Sequence, residues 1–177
     1  SYFYDRVELM NKLKINFSFP DDFHCKKIKK VIYGLPGSGK SILAVKYGND
    51  FKNKNTNNIS LLVNSENENK LLLSYYSILF DNEVTSDSIK KNNIIKNFIK
   101  SINSLAESKN ILIIYDNMNE INILKEFEVN NLDNRVQVII TTRDLKIMDG
   151  IDEEYEKVEV SPLKKDDFKQ YFYYWCN

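Results

Sequence analysis

The stretch Val31-Ile-Tyr-Gly-Leu-Pro-Gly-Ser-Gly-Lys-Ser-Ile-Leu-Ala44 concentrates glycine where the rest of the chain nearly lacks it. Three of the 5 glycines in 177 residues fall within six positions, and a lysine and a serine follow at once. Glycine lets a backbone take left-handed dihedrals and brings consecutive N–H groups close to a ligand with no Cβ in the way. A short apolar run, Lys30 to Tyr33, precedes the loop, and a helical pattern from Lys40 to about Asp50 follows it. Gly34-x-x-x-x-Gly39-Lys40-Ser41 therefore fits G-x-x-x-x-G-K-[ST], the phosphate-cradling P-loop, in the strand–loop–helix setting that the pattern requires. Candidate phosphate contacts are Gly34, Leu35, Pro36, Gly37, Ser38, Gly39, Lys40, Ser41 and Ile42. The helix start adds free amides and the positive end of its dipole, Lys40 reaches the β- and γ-phosphates, and the Ser41 hydroxyl ligates Mg2+.

A phosphate cradle needs a second anchor for the metal. Ile111-Leu-Ile-Ile-Tyr-Asp116 supplies one, an apolar strand that delivers a carboxylate at its C-terminal edge, where ligands bind in open α/β sheets. The run Val136-Gln-Val-Ile-Ile-Thr-Thr-Arg-Asp144 brings Arg143 to the same edge. An arginine there either senses the γ-phosphate or is simply solvated, and geometry from sequence leaves both open.

Short β-branched runs alternate with segments of helical spacing, the pattern of a parallel α/β sheet. Strands are expected at Lys30 to Tyr33, Ile59 to Val63, Ile111 to Tyr115, Val136 to Thr141 and Val158 to Val160. Helices are expected from Lys40 to about Asp50, from Glu66 to Phe80 behind a Ser65-Glu-Asn-Glu68 capping box, from Asp87 to about Ala106, and from Lys165 toward Trp175. The tract Lys52-Asn-Lys-Asn-Thr-Asn-Asn58 reads as a mobile connection, because such a composition buries little apolar surface.

The length suits one domain spanning 1–177. With 25 basic and 25 acidic residues the formal charge is zero, which argues against nucleic acid as a partner; Lys26-Lys27-Ile28-Lys29-Lys30 reads as a solvated edge. Cys25 and Cys176 show no paired or zinc-type spacing, and His24 is the only histidine, so neither a disulfide framework nor a zinc site is expected. No apolar stretch approaches the ~18 residues that cross a bilayer, and the first residues do not resemble a secretory leader, so a cytoplasmic location without membrane contact is expected.

The ordered set Gly34 to Ala44, Ile111 to Asn117, Val138 to Asp144 and Val158-Glu-Val-Ser-Pro-Leu163 resembles the NB-ARC nucleotide-binding domain over nearly the whole chain. That domain is the switch module of STAND-type NTPases, found in apoptotic protease-activating factors, plant disease-resistance proteins and related microbial proteins. The resemblance implies a P-loop three-layer α/β/α sandwich with five mainly parallel strands ordered 5-1-4-3-2 and the site above the first and third. It implies ATP/ADP and Mg2+ as ligands, with Ser41 and Asp116 at the metal and Arg143 as phosphate sensor. Tyr4 and Arg6, in Phe3-Tyr-Asp-Arg-Val-Glu-Leu9, would lie near the adenine. It further implies a regulated exchange in which ADP holds a closed state and ATP favours self-association, signalling through other domains of the full-length protein to an effector. By linkage, nucleotide can drive this only through different affinities for the two states.

Two departures from the family stand out. Many relatives carry paired acids after the third strand, whereas this chain has Asp116-Asn117; an amide positions water but accepts no proton, so ATP hydrolysis is expected to be slow unless Glu120 or another acid substitutes. The chain also stops at Asn177, before the family's helical lid and winged-helix segments. Two other classes remain: a conventional P-loop ATPase or small-molecule kinase, for which no lid arginines or acceptor site are evident, and a DNA-associated initiator-type ATPase, which the zero net charge disfavours.

Overall fold

In a computed structural model, which describes residues 29–80, 91–120, 122–127, 129–144 and 155–162, all five expected strands form. They are β1 (Lys29–Tyr33), β2 (Asn58–Asn64), β3 (Asn110–Met118), β4 (Val136–Thr142) and β5 (Tyr155–Glu159). Every pairing is parallel and the order is β2-β3-β4-β1-β5, the expected 5-1-4-3-2 arrangement. β4 lies between β1 and β3, so the ends of all three strands converge at one edge of the sheet.

The strands read as continuous apolar runs because both faces are covered. On one face Val31, Ile111, Ile113, Tyr115, Val138 and Ile140 pack under α2 (Glu68–Phe80), α3 (Lys91–Leu105) and the short α4 (Asn122–Glu126). On the other, Ile32, Leu112, Ile114, Ile139 and Val158 meet Leu43, Ala44, Tyr47 and Phe51 of α1 (Lys40–Lys54). Gly48 lets α1 lie close to the sheet, since a Cβ there would come within 2.5 Å of Ser60 Oγ and 2.8 Å of Ile114 Cδ1.

Three local expectations are corrected. The asparagine-rich tract is more than a connection: α1 continues to Lys54, β2 begins at Asn58, and Asn58 Nδ2 donates 2.8 Å to the carbonyl of Phe51 near the helix end. Asn55 Oδ1 accepts the Asn57 amide at 2.9 Å, and Asn110 Nδ2 donates to Asn58 Oδ1 at 2.7 Å. Asparagine carries a donor and an acceptor on a short arm, so it completes backbone bonds where it cannot supply apolar burial. Ser65 does not cap α2. Its N–H and hydroxyl both donate, each at 2.8 Å, to the carbonyl of Asp116, and Asn67 Oδ1 accepts the Lys70 amide instead. Lys29 and Lys30 are 4% and 5% exposed rather than solvated; Lys29 lies over the Tyr155 ring and donates to Asn130, and Lys30 pairs with Glu156. Their alkyl stems bury while the ammonium groups find partners. The expected helix from Lys165 toward Trp175, and residues 87–90 of the third, lie outside the described residues, as do His24, Cys25, Lys26, Lys27, Ile28 and Cys176.

Under α2 and α3, Tyr75 stacks on Phe98 with ring centroids 3.6 Å apart, and its hydroxyl meets that of Tyr115 at 2.8 Å. Burial pushes both phenols well above their ordinary pKa, so neither ionises in a useful range and the contact is a neutral hydrogen bond. Removing one hydroxyl strands the other in an apolar core, whereas removing both leaves nothing unsatisfied. Tyr75→Phe is expected to cost about 1–2 kcal/mol in urea unfolding, and Tyr75→Phe with Tyr115→Phe less than either single change. Additive losses would overturn this account.

Candidate functional site

At the C-terminal end of β1 the chain turns through Gly34, Gly37 and Gly39 with φ of 150°, 75° and 89°, values that favour glycine. Gly34 is further constrained by approach, because a Cβ there would stand 2.3 Å from the carbonyl oxygen of Val160. Gly39 ends the loop in a left-handed conformation at the start of α1, with no side-chain hydrogen bond capping the helix. The first helical bond runs from the Leu43 amide to the Gly39 carbonyl at 2.9 Å, so the amides of Lys40, Ser41 and Ile42 have no intrahelical acceptor. No acidic side chain lies in the first turn to compete for them. The result is a positive helix end built to receive an anion.

Lys40 folds back over the loop. Its ammonium donates to the carbonyls of Gly34 at 2.9 Å and Leu35 at 2.8 Å, and reaches Ser38 Oγ at 3.5 Å. Burial is the main cause that lowers its pKa from the usual 10.5; the Arg143 charge lowers it further, and the Asp116 carboxylate opposes both.

Across the cleft, β3 bulges. Tyr115 pairs with Ile140 and Met118 with Thr142, so Asp116 and Asn117 together oppose Thr141. Asn117 takes φ of 62°, which asparagine tolerates better than most residues. Its N–H donates 2.9 Å to Thr141 Oγ1, whose own O–H donates to Asp116 Oδ1. Arg143 donates through Nε at 3.1 Å and Nη2 at 2.8 Å to Asn117 Oδ1. Thr142 Oγ1 donates 2.7 Å to the Met118 carbonyl and closes the bulge.

These elements enclose a cleft of about 300 Å3 lined by Gly37, Gly39, Lys40, Ser41, Ile42, Asn117, Thr141, Thr142 and Arg143. Of the residues expected from sequence, Gly37, Gly39, Lys40, Ser41, Ile42, Asn117 and Arg143 therefore come together in the cleft. Gly34 forms the base of the loop and Ser38 is buried in it, while Leu35 and Pro36 are exposed beside it. Asp116 is half-buried behind the lining, turned onto Thr141. Tyr4 and Arg6 lie outside the described residues. Thr141 and the Asn117–Arg143 pair were not foreseen as a unit; the only sequence signal was the hydroxyl pair preceding the arginine. Glu120 is exposed beyond β3. Glu66 stands nearer the charge network: its carboxyl is held below the usual range mainly by its hydrogen bond to Lys70, then by the Lys70 charge and by Arg143.

The donor set suits Mg2+. Ser41 offers a hydroxyl at the cleft, and among the described residues Asp116 Oδ2 has no hydrogen-bonding partner. Among those residues no group of three or more His, Cys, Asp or Glu is placed to hold a metal. A hard cation held by such a donor set would be shared between one carboxylate, one hydroxyl, ligand phosphates and water. Among the described residues no helix is long and apolar enough to cross a membrane.

The family model of the NB-ARC domain matches residues 20–173. No curated protein matches the chain in sequence. Among solved structures, the chain resembles Cdc6p from Pyrobaculum aerophilum with a TM-score of 0.59 and 13% identity, covering 82% of this chain and 42% of that one. The ORC2 protein of Aeropyrum pernix gives 0.56 and 13%, covering 83% and 45%. A STAND protein with a tetratricopeptide repeat sensor from Pyrococcus horikoshii gives 0.45 and 22%, covering 94% and 24%. The chain thus spans less than half the length of these structures, and at such identities the likeness to the first two is one of fold.

Proposed function

Because the chain belongs to the NB-ARC domain family, we propose that it is the Mg2+-dependent ATP/ADP switch of a STAND-type NTPase, with slow hydrolysis resetting an ATP state that self-associates. The observation that carries this reading is the meeting, in one cleft, of the uncapped α1 terminus, Lys40 and Ser41 with Asn117 and Arg143 from the neighbouring strand ends. Family membership implies nucleotide; the roles of single residues are our assignment.

In this reading the amides from Gly37 to Ile42 wrap the β-phosphate, and Lys40 bridges β- and γ-phosphates. Ser41 and Asp116 would hold Mg2+, which when bound neutralises charge on the phosphate oxygens. Arg143 answers to the γ-phosphate, so it distinguishes ATP from ADP. Tyr4 and Arg6 would contact the adenine, by analogy with the family. Asn117 orients water but takes no proton, and among the described residues no carboxylate lines the cleft, which supports slow turnover. Exchange would be read out by other domains of the full-length, cytoplasmic protein and passed to an effector. The Cdc6p and ORC2 structures support the architecture alone.

The test is calorimetry with ADP and ATP in Mg2+, steady-state phosphate release, and the mass of the full-length protein with each nucleotide. Both nucleotides are expected to bind, turnover to fall below about 1 per second, and mass to rise with ATP. Absence of binding would reject the assignment. Rapid turnover without a change in mass would favour a conventional ATPase or kinase.

A further inference from the structure

We propose that Thr141 is a positioning residue that couples the metal-side carboxylate to the phosphate-sensing arginine through one buried hydroxyl. The inference rests on the nucleotide-binding reading above and deepens it.

Thr141 is 1% exposed, so water does not compete for its Oγ1. An amide N–H can only donate, and Asn117 N–H points at that oxygen from 2.9 Å; the oxygen is therefore the acceptor there. Its single proton is left for Asp116 Oδ1. The direction of both bonds follows from chemistry. One contact turns the Asp116 carboxylate so that Oδ1 is occupied and Oδ2 is left for a cation. The other pins the left-handed turn at Asn117, whose Oδ1 holds Arg143. A β-bulge is what allows one threonine to face two successive residues. Metal-side and γ-phosphate-side groups thus share one hinge. A cation drawing on Asp116 is felt at Asn117, and hence at Arg143, through the same hydroxyl.

Thr141→Val keeps shape and β-branching but offers neither donor nor acceptor, whereas Thr141→Ser keeps the hydroxyl. Affinities for ATP and ADP, each in Mg2+ and in EDTA, separate positioning from mere packing. Thr141→Val is expected to weaken ATP in Mg2+ about tenfold while ADP in EDTA stays within about twofold, and Thr141→Ser to stay within about threefold throughout. Circular dichroism checks folding; if the valine variant does not fold, Thr141→Ala carries the same comparison. Equal losses for all four ligand conditions, no loss at all, or equal losses in the serine and valine variants would overturn the coupling. If the unaltered protein binds neither nucleotide in either condition, the underlying site assignment falls and the coupling with it.

Discussion

Lys40→Ala is expected to lose more than about 100-fold in affinity for both ADP and ATP. The ammonium serves two ends. It donates to the carbonyls of Gly34 and Leu35, which shapes the loop, and it supplies a positive charge at the uncapped helix start. Two charge-assisted contacts to phosphate oxygens at about 1.5–3 kcal/mol each account for a loss of this size. Both nucleotides should suffer, because the β-phosphate is common to them. Burial and the nearby Arg143 charge already disfavour the cation, against the opposing Asp116 carboxylate. A polyphosphate would offset that penalty, so the lysine is expected to matter more to the ligand than to the fold. Lys40→Met, which keeps the alkyl stem, is expected to lose binding equally while melting within a few degrees of the unaltered protein. Calorimetry and thermal unfolding together decide the matter: affinity within fivefold of the original would remove the phosphate role of this lysine.

Much of the fold was legible because strands covered on both faces declare themselves as apolar runs: Ile111 to Ile114 alternate between two cores without a polar interruption. The glycine loop was legible for a related reason, since backbone demands leave their trace as residue identity. What escaped was polar side chains standing in for backbone. Asn55 and Asn58 look solvent-seeking by composition, yet they bond the end of α1 and the following turn, and Asn58 also accepts from Asn110 of β3. Ser65 fits a capping box by spacing, but its hydroxyl is taken across the sheet by the Asp116 carbonyl. The five residues of α4 are too few to show a period. In the site, the bulge that sets Asp116 and Asn117 against Thr141 depends on strand pairing, which no local pattern encodes. The sequence predicts a water-positioning amide at Asn117; that its side-chain oxygen also accepts from Arg143 depends on the same bulge.

That contact underlies the second large effect. Arg143→Ala is expected to weaken ATP about 30-fold and ADP less than about threefold. The guanidinium is exposed at the rim of the cleft and bonded to a neutral amide oxygen, so its charge is oriented and not cancelled. Its field reaches Lys40, where it lowers the lysine pKa, and so it reaches the phosphates that lysine would hold. A γ-phosphate offers the arginine an anionic acceptor in exchange for an amide, a gain of about 2 kcal/mol that ADP cannot provide. Asn117→Asp sharpens the test. A carboxylate at that position would pair with Arg143 and retain it, lowering the preference for ATP over ADP without removing the arginine. Arg143→Lys keeps charge but not the planar fork, and should recover only part of the discrimination. Titrations of ATP and ADP against all three variants distinguish the possibilities: equal losses for both nucleotides in Arg143→Ala would mean that this arginine supports the bulge and does not sense the third phosphate.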